Sequence, residues 1–340
     1  MHRRSVLVSA AAAAASVPAL VSAQQAAGTT WRVQALYSPG NQVWDELSKF
    51  AGKVRTLTGG RLAIQLLPAG GAVAVGGTLE AVRAGVLDGH VSDPSLWNGI
   101  DPGFGTLGNF PGSFDTFYQL ANYYYDHGGL NLLRELYASR GMYAVGVATG
   151  GPEAMVSNKP LGSVNDLKGL KVRSSPGISA QVFQKLGAGA VNIPFAEVFA
   201  ALDKSIVDAA DAGSLSFNDQ IGLYAKSKHV VLDSPHSVAV MDFSVNQGRW
   251  NALPADVKEI LQLATRDLFF SVMSRVEADD AKVRAQAAQK GLKLWTWDAD
   301  SRNRYRAAAL EVWNEWGAKA PSARRVVDHQ VAYLKTLGLL

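Results

Sequence analysis

Residues 255–290 read ADVKEILQLATRDLFFSVMSRVEADDAKVRAQAAQK, without a glycine or a proline. Pro254 suits the first turn of a helix, and Gly291 is typical of a helix exit. A helix of this length measures roughly 50 Å, which exceeds one small domain. We therefore expect one helix that spans two lobes, or two helices separated by a kink near residues 278–279. Its predicted apolar face comprises Val257, Ile260, Leu261, Ala264, Leu268, Val272 and Val276.

Strand and helix patterns alternate upstream of this segment. Residues 31–37 alternate as a strand, and residues 62–67 and 86–91 follow as two more. Between them, apolar spacing after residue 44 and again over residues 78–84 predicts helices. Such alternation is typical of a largely parallel sheet covered by helices on both faces.

Residues 141–230 repeat this plan, which predicts a second lobe. Residues 79–89 (LEAVRAGVLDG) and 199–209 (FAALDKSIVDA) each read as a helix, a tight turn and a strand that carries an aspartate. Two such lobes enclose a cleft, where ligands of open α/β sheets bind. We assign residues 29–150 and part of 240–290 to the first lobe, and residues 151–239 and part of 291–340 to the second.

The first 23 residues have the pattern of a signal peptide. Arg3 and Arg4 precede an alanine-rich apolar stretch, and cleavage is expected after Ala23. The paired arginines fit either the general secretory route or the twin-arginine route. Their removal lowers the formal net charge from +4 to +2, which gives no footprint for nucleic acid. The absence of cysteine excludes disulfides and thiolate metal sites.

Several blocks resemble the solute receptors of TRAP transporters. Residues 163–173 (SVNDLKGLKVR) are similar to that family's DLKGLKxR signature, and residues 186–202 (LGAGAVNIPFAEVFAAL) resemble its next block. Residues 98–102 (NGIDP) and 127–129 (HGG) resemble the branch that binds 2-oxo and 2-hydroxy monocarboxylates. The resemblance implies a two-lobed α/β periplasmic-binding-protein fold, hinge closure on a small carboxylate, and delivery to a membrane permease without catalysis.

The resemblance also implies a set of site residues. Arg173 matches the arginine whose guanidinium binds the substrate carboxylate, a geometry that suits paired N–H donors. In the monocarboxylate branch a sodium or calcium ion bridges protein and substrate. Asp211 matches an acidic metal ligand, Ala212 would supply a carbonyl oxygen, and Glu153 stands near a glutamine position if the alignment slips by one residue. Two carboxylates would favour calcium.

Other side chains are candidates for the pocket wall. Trp97 and Asn98 fall where the family places aromatic residues that enclose the ligand. Phe217, Asn218 and His236 are further candidates, and a core or surface role is an equal alternative for each of these three.

The sequence leaves alternatives for the ligand and for the partner protein. We find no GxSxG, HExxH or P-loop motif, so the chain is not expected to be an enzyme. Two alternatives are a larger aromatic or dicarboxylic ligand and a receptor that serves a sensor instead of a permease. Residues 326–337 predict a C-terminal helix that either pairs two copies of the chain or packs on its own chain.

Overall fold

The computed structural model describes residues 28–108, 110–175, 177–232 and 238–340 of the chain. The signal peptide predicted for residues 1–23 and the candidate residue His236 lie outside these ranges. Within them, no helix is both long enough and apolar enough to cross a membrane. The described strands form two separate sheets, one of five strands and one of six.

The first sheet forms the centre of the first lobe. Its strands are β1 (Thr29–Ala35), β2 (Leu62–Leu67), β3 (Gly89–Ser92), β4 (Met142–Pro152) and β10 (Val238–Asn246), in the order β2-β1-β3-β10-β4. β1 pairs in parallel with β2 and β3, as the alternation of strands and helices predicts. β10 runs antiparallel to both β3 and β4.

The second sheet forms the centre of the second lobe. Its strands are β5 (Met155–Ser157), β6 (Lys171–Ser174), β7 (Gly189–Asn192), β8 (Ala209–Asp211), β9 (His229–Leu232) and β11 (Lys293–Thr296), in the order β11-β9-β5-β8-β6-β7. β6 pairs in parallel with β7 and β8, whereas β5 is antiparallel to β8 and β9. Both sheets are thus mixed, because β10 runs antiparallel to its neighbours in the first sheet and β5 runs antiparallel to its neighbours in the second.

Helices cover the faces of both sheets. The first lobe carries α1 (Gln42–Leu57), α2 (Thr78–Arg83), α3 (Pro102–Gly108), α4 (Phe117–Tyr125), α5 (Gly129–Ala138) and α9 (Gln247–Asn251). The second lobe carries α6 (Ile178–Lys185), α7 (Val198–Asp203) and α8 (Leu215–Gln220). The last three helices are α10 (Ala255–Ala285), α11 (Ala299–Gly317) and α12 (Pro321–Thr336).

α10 is the long helix expected from residues 255–290. It continues without a break through residues 278–279 and ends at Ala285, five residues before the end of the sequence pattern. It packs against α1 and β4 of the first lobe and against α8 of the second. Val276 belongs to the core cluster of the first sheet and Val283 to a cluster of the second lobe. One rigid element therefore contacts both lobes.

The C-terminal helices also join the lobes. α11 contacts α6 of the second lobe and α3 of the first, and α12 packs on α11 and α3. The face of α12 that is buried on its own chain comprises Ala323, Val326, Val327, Gln330, Tyr333 and Leu334. Pairing of two copies through this helix stays a prediction.

The two helix-turn-strand units predicted from residues 79–89 and 199–209 share one hydrogen-bond pattern. The Asp88 carboxylate accepts a bond of 2.7 Å from the backbone N–H of Arg32, and Asp208 accepts one of 2.9 Å from Lys171. The backbone N–H groups of both aspartates donate back to the carbonyl oxygens of the same partners. Each aspartate thus connects its turn to the neighbouring parallel strand in its own lobe.

Both strands of these units begin later than predicted. β3 starts at Gly89 and β8 at Ala209, because the backbone before them bonds to the preceding helix: Val86 N–H donates to Ala81 and Ile206 N–H to Ala201. Val86 and Ile206 are 53% and 52% exposed. Because these side chains are apolar, the sequence pattern wrongly predicted that the strands include both turns.

Ser205 provides a test of the repeated turn. It is the one non-glycine residue with positive φ in the described ranges, at 55°, and the matching position in the first lobe is Gly85 at 76°. Ser205→Gly should raise the free energy of unfolding by about 0.5–1 kcal/mol, because glycine adopts this conformation without steric strain. Urea unfolding measures the change.

The reverse substitution, Gly85→Ser, is the matched comparison. A Cβ at Gly85 has open space around it, so only the backbone conformation opposes the change. It should lower the free energy of unfolding by a similar amount. Equal stability of all three proteins would contradict this account.

Candidate functional site

Arg173 lies at the carboxyl ends of the parallel strands in the second sheet. Its Nε donates to the carbonyl oxygen of Ile193 at 3.0 Å, and its Nη1 donates to the carbonyl oxygen of Asp211 at 2.6 Å. No described residue accepts a hydrogen bond from Nη2. The residue is only 7% exposed, so the guanidinium is buried and held in one orientation.

The charges around Arg173 come from two carboxylates. Burial lowers the pKa of Arg173, while the charges of Asp211 and Glu153 act in the opposite direction. The guanidinium stays charged because an arginine pKa lies far above neutral pH. Sequence analysis predicted these three residues as one site, and the structure brings their charges together.

Asp211 is the last residue of β8 and is 2% exposed. Burial raises the pKa of its carboxyl group to about 7, although the charge of Arg173 opposes this shift. Ala212 follows directly, and its side chain is also buried. The sequence thus places a buried carboxylate and the next backbone carbonyl on one short segment.

Glu153 follows β4, at the point where the chain passes from the first lobe to the second. Gly151 precedes it with φ +95°, and a Cβ there would lie 2.9 Å from Cγ1 of Val276 on α10. Glycine is needed because the crossing strand passes so close to the long helix. The half-buried Glu153 influences the pKa values of Arg173, Tyr37 and Tyr305. Glu153 thus lies close enough to Arg173 to act on its charge, and its role as a cation ligand stays a prediction.

A row of aromatic rings connects the lobes beside Arg173. Tyr37 of the first lobe packs edge-on against Phe217 of the second, with ring centroids 5.8 Å apart. Phe217 lies 5.6 Å from Phe195, and the guanidinium of Arg173 lies 5.4 Å from the centroid of the Phe195 ring. The predicted residue Phe217 thus joins the first lobe to the arginine.

Sequence reasoning missed Tyr37, Phe195 and Tyr305. Tyr37 comes two residues after β1 and Phe195 three residues after β7, so their place near the carboxyl ends of parallel strands was an available signal. Tyr305 had no such signal, because it reaches the site from α11. Burial, followed by the charges of Asp211 and Glu153, raises its pKa.

Trp97 lies in the core of the first lobe. It is 2% exposed, stacks on His90 at 4.8 Å and meets Phe104 and Tyr137 edge-on. Its predicted contact with the ligand gains no support from this packing. A tryptophan at this position fills the core instead, because its large ring buries much apolar surface.

Asn98 faces the second lobe. Its Nδ2 donates to the carbonyl oxygen of Ser95 at 2.8 Å. A Cβ at Gly177, which is four residues after Arg173 in the sequence, would lie 3.3 Å from the same nitrogen. Asn98 therefore marks a point where the lobes approach each other, and its contact with a ligand stays a prediction.

Asn218 binds backbone and does not project into a pocket. Its Oδ1 accepts from the N–H of Gly213 at 2.9 Å, and its Nδ2 donates to the carbonyl oxygens of Gly213 and Ala154, at 2.9 and 3.1 Å. The side chain is fully buried. Both of its N–H donors are thus engaged, which assigns Asn218 to the support of the site.

A buried polar junction lies directly after the Asp211 segment. Gln42 at the start of α1 donates to the hydroxyls of Ser214 and Ser216, at 3.2 and 2.9 Å. Asp280 of α10 accepts from the N–H of Ser216 at 2.7 Å. The first lobe, the second lobe and the long helix therefore meet in one hydrogen-bonded group beside the site.

The donor set fits a hard cation. In the described ranges, no group of three or more His, Cys, Asp or Glu side chains could hold a metal ion. The predicted set is different, since it has two carboxylates, Glu153 and Asp211, and the carbonyl of Ala212. Hard cations prefer such oxygen ligands. The raised pKa of Asp211 also shows that the charge of Arg173 does not fully compensate for its burial.

Two α/β lobes with a buried arginine and an aromatic row at their junction define the class of two-lobed solute-binding proteins. The model of the bacterial extracellular solute-binding proteins, family 7 (DctP), matches residues 34–320. The chain belongs to this family. The predicted similarity to TRAP-transporter solute receptors is confirmed, and so is the prediction of a non-enzymatic receptor, since the family consists of solute-binding proteins.

Individual relatives extend this match. The chain is 27% identical to the monocarboxylate 2-oxoacid-binding periplasmic protein of Nostoc sp., over 99% of this chain and 95% of that protein. A TRAP periplasmic solute-binding protein from Rhodobacter sphaeroides, in an apo open structure, has a TM-score of 0.79 at 34% identity, covering 92% of this chain and 99% of that chain. One from Pseudoalteromonas atlantica with bound sodium and pyruvate has a TM-score of 0.80 at 25% identity, covering 91% and 95%.

The protonation of Asp211 is directly measurable. In the cation-free protein we expect its carboxyl group to titrate with a pKa of about 7, because burial disfavours the charged form. Arg173→Met removes the opposing positive charge and should raise this pKa further. NMR titration of ¹³C-labelled aspartate, assigned with Asp211→Asn, measures both values. An ordinary aspartate pKa in the unsubstituted protein would contradict the burial described here.

Proposed function

We propose that this chain is the periplasmic receptor of a TRAP transporter that binds a small 2-oxo or 2-hydroxy monocarboxylate through a cation bridge and delivers it to the membrane permease. The observation that carries the proposal is the buried guanidinium of Arg173, which two backbone carbonyls fix and on which the charges of Asp211 and Glu153 act. The names of the Nostoc and Pseudoalteromonas relatives support the same ligand class.

The charge distribution favours a ligand with one carboxylate. Arg173 is the one cationic group in the described ranges whose charge acts on the pKa of Asp211. A guanidinium pairs its N–H donors with one carboxylate, and burial strengthens that contact. A dicarboxylate would bring a second negative charge towards the carboxylates of Asp211 and Glu153, which like charges disfavour.

The same charges favour a divalent cation. The predicted cation ligands include two carboxylates, and an anionic ligand adds another negative charge beside them. Calcium brings two positive charges to these oxygen ligands, whereas sodium brings one, so calcium would offset more of the negative charge in a buried site. Glu153, Asp211 and the carbonyl of Ala212 would hold the cation, which would attract oxygen atoms of the ligand. Arg173 would orient the carboxylate.

Closure of the lobes follows from the placement of these groups. Tyr37 belongs to the first lobe, Phe217 and Arg173 belong to the second, and Glu153 lies on the crossing between them. A ligand that contacts both sides stabilises the closed form because it binds that form more tightly. The half-buried ring of Tyr37 and the buried ring of Phe217 would help to exclude water from the bound acid.

The aromatic row also supports a second candidate ligand. Tyr37, Phe217 and Phe195 present three rings next to Arg173, and an aromatic monocarboxylate could stack or pack edge-on against them. The charge argument is the same for this ligand. A panel of 2-oxo, 2-hydroxy, aromatic and dicarboxylic acids distinguishes the two classes.

Arg173→Ala tests the proposed carboxylate contact. We expect acid binding to weaken by at least about 100-fold, because one partner of a buried charged pair is lost. Calorimetry with the panel measures affinity, and thermal unfolding measures stabilisation, which reaches about 4 kcal/mol at a thousandfold excess over the dissociation constant. Lys171→Ala, an exposed position on the same strand, is the control. Unchanged affinity of the Arg173 variant would refute the proposal.

Glu153→Gln tests the cation bridge. The substitution keeps an oxygen ligand but removes one negative charge, so acid binding in calcium should weaken by about tenfold or more while binding in sodium changes little. Calorimetry after chelation, with each cation added back, measures the ratio. The exposed Glu197→Gln is the control. The same calcium preference in both variants would remove Glu153 from the cation site.

A further inference from the structure

Asn218 links the two segments that carry the candidate carboxylates. Its amide bonds to both backbone polar groups of Gly213, two residues after Asp211, and to the carbonyl oxygen of Ala154, which directly follows Glu153. The N–H of Ala154 also donates to the carbonyl oxygen of Gly213 at 2.9 Å. One buried side chain therefore bridges the two segments, next to a backbone bond between them and to the pairing of Met155 with Asp211 in the sheet.

The helix that carries Asn218 is itself anchored. Asn218 lies on α8, whose first turn is capped by the hydroxyl of Ser214, which accepts from the N–H of Phe217 at 3.3 Å. Ser216 donates from its N–H and its hydroxyl to Asp280 of α10, at 2.7 and 2.5 Å. The Asn218 amide is thus held by the long helix and not only by the loop that it supports.

We propose that Asn218 is a positioning residue that fixes the spacing of Glu153 and Asp211 and so makes the cation site selective for ions of calcium size. This inference rests on the proposed function. Calcium binds oxygen ligands at 2.3–2.6 Å, whereas magnesium needs about 2.0–2.1 Å and near-octahedral geometry. A rigid pair of carboxylates cannot contract around the smaller ion. A loosened pair can, so selectivity depends on the rigidity that Asn218 provides.

Asn158 offers a matched control in the same lobe. It directly follows β5, whereas Ala154 directly precedes it. The Nδ2 of Asn158 donates to the carbonyl oxygen of Leu202 at 3.0 Å, and its Oδ1 accepts from Ser227 at 2.8 Å. Like Asn218, Asn158 uses both its amide nitrogen and its amide oxygen to connect separate segments, but it lies at the end of β5 away from the carboxylates.

The experiment compares Asn218→Ala with Asn158→Ala in the full receptor. Thermal unfolding without ligand should show that both variants are less stable. Calorimetry with pyruvate, in calcium or in magnesium after chelation, gives the ratio of affinities. We expect the calcium-to-magnesium ratio to fall by about tenfold or more in Asn218→Ala, in line with other residues that orient metal ligands. The ratio in Asn158→Ala should equal that of the unsubstituted protein.

Two outcomes would overturn the inference. The first is an unchanged cation ratio in Asn218→Ala together with a loss of stability like that of Asn158→Ala, which would make Asn218 merely structural. The second is a crystal structure of Asn218→Ala in which the backbone at residues 153–154 and 211–213 has not moved. The second test needs no ligand. It therefore decides the inference even where the unsubstituted protein binds no acid of the panel and the proposed function fails.

Discussion

The burial of the Arg173 guanidinium is the constraint on which the rest of the site depends. A buried charge is costly unless charged and polar groups surround it. Two backbone carbonyls at strand ends accept its hydrogen bonds, and two carboxylates offset its charge. Because strand ends fix the carbonyls, the guanidinium is oriented before any ligand arrives. The energy of ligand binding is then not spent on ordering this side chain.

The duplicated fold explains why such groups meet at one place. In both lobes an aspartate, Asp88 or Asp208, connects the turn after a helix to the neighbouring parallel strand. The carboxyl ends of the parallel strands therefore lie at one edge of the sheet in each lobe. Tyr37 follows β1 in the first lobe, and Arg173, Phe195 and Asp211 lie at or after strand ends in the second. The site thus lies where segments at the carboxyl ends of strands in both lobes come together.

The secondary structure elements could be predicted from the sequence, whereas most contacts within the site could not. Local patterns suffice for a strand such as β2 or a helix such as α10, because their periodicity reflects burial on one face. The turns at Val86 and Ile206 were mistaken for strands, since an exposed apolar residue looks the same in sequence as a buried one. The edge-on contact of Tyr37 with Phe217 joins residues 180 positions apart and exists only when both lobes are assembled. No local pattern encodes it. The support role of Asn218 was hidden for the same reason.

The buried carboxylate of Asp211 shows that the site is built for binding at the expense of stability. Its pKa is about 7 in the folded chain, above the ordinary aspartate value of about 3.9. Between these values the unfolded chain has released a proton that the folded chain still holds, so stability falls as pH rises towards 7 and stays lower above it. A cation that binds the deprotonated carboxylate in the folded state reverses this loss. The junction of Gln42, Ser216 and Asp280 lies beside this segment and joins both lobes to α10. Stabilisation of Asp211 by a cation would therefore act directly on the junction between the lobes. Under the proposed function, cation binding and lobe closure would therefore be coupled through a few residues of one loop and the helix that follows it.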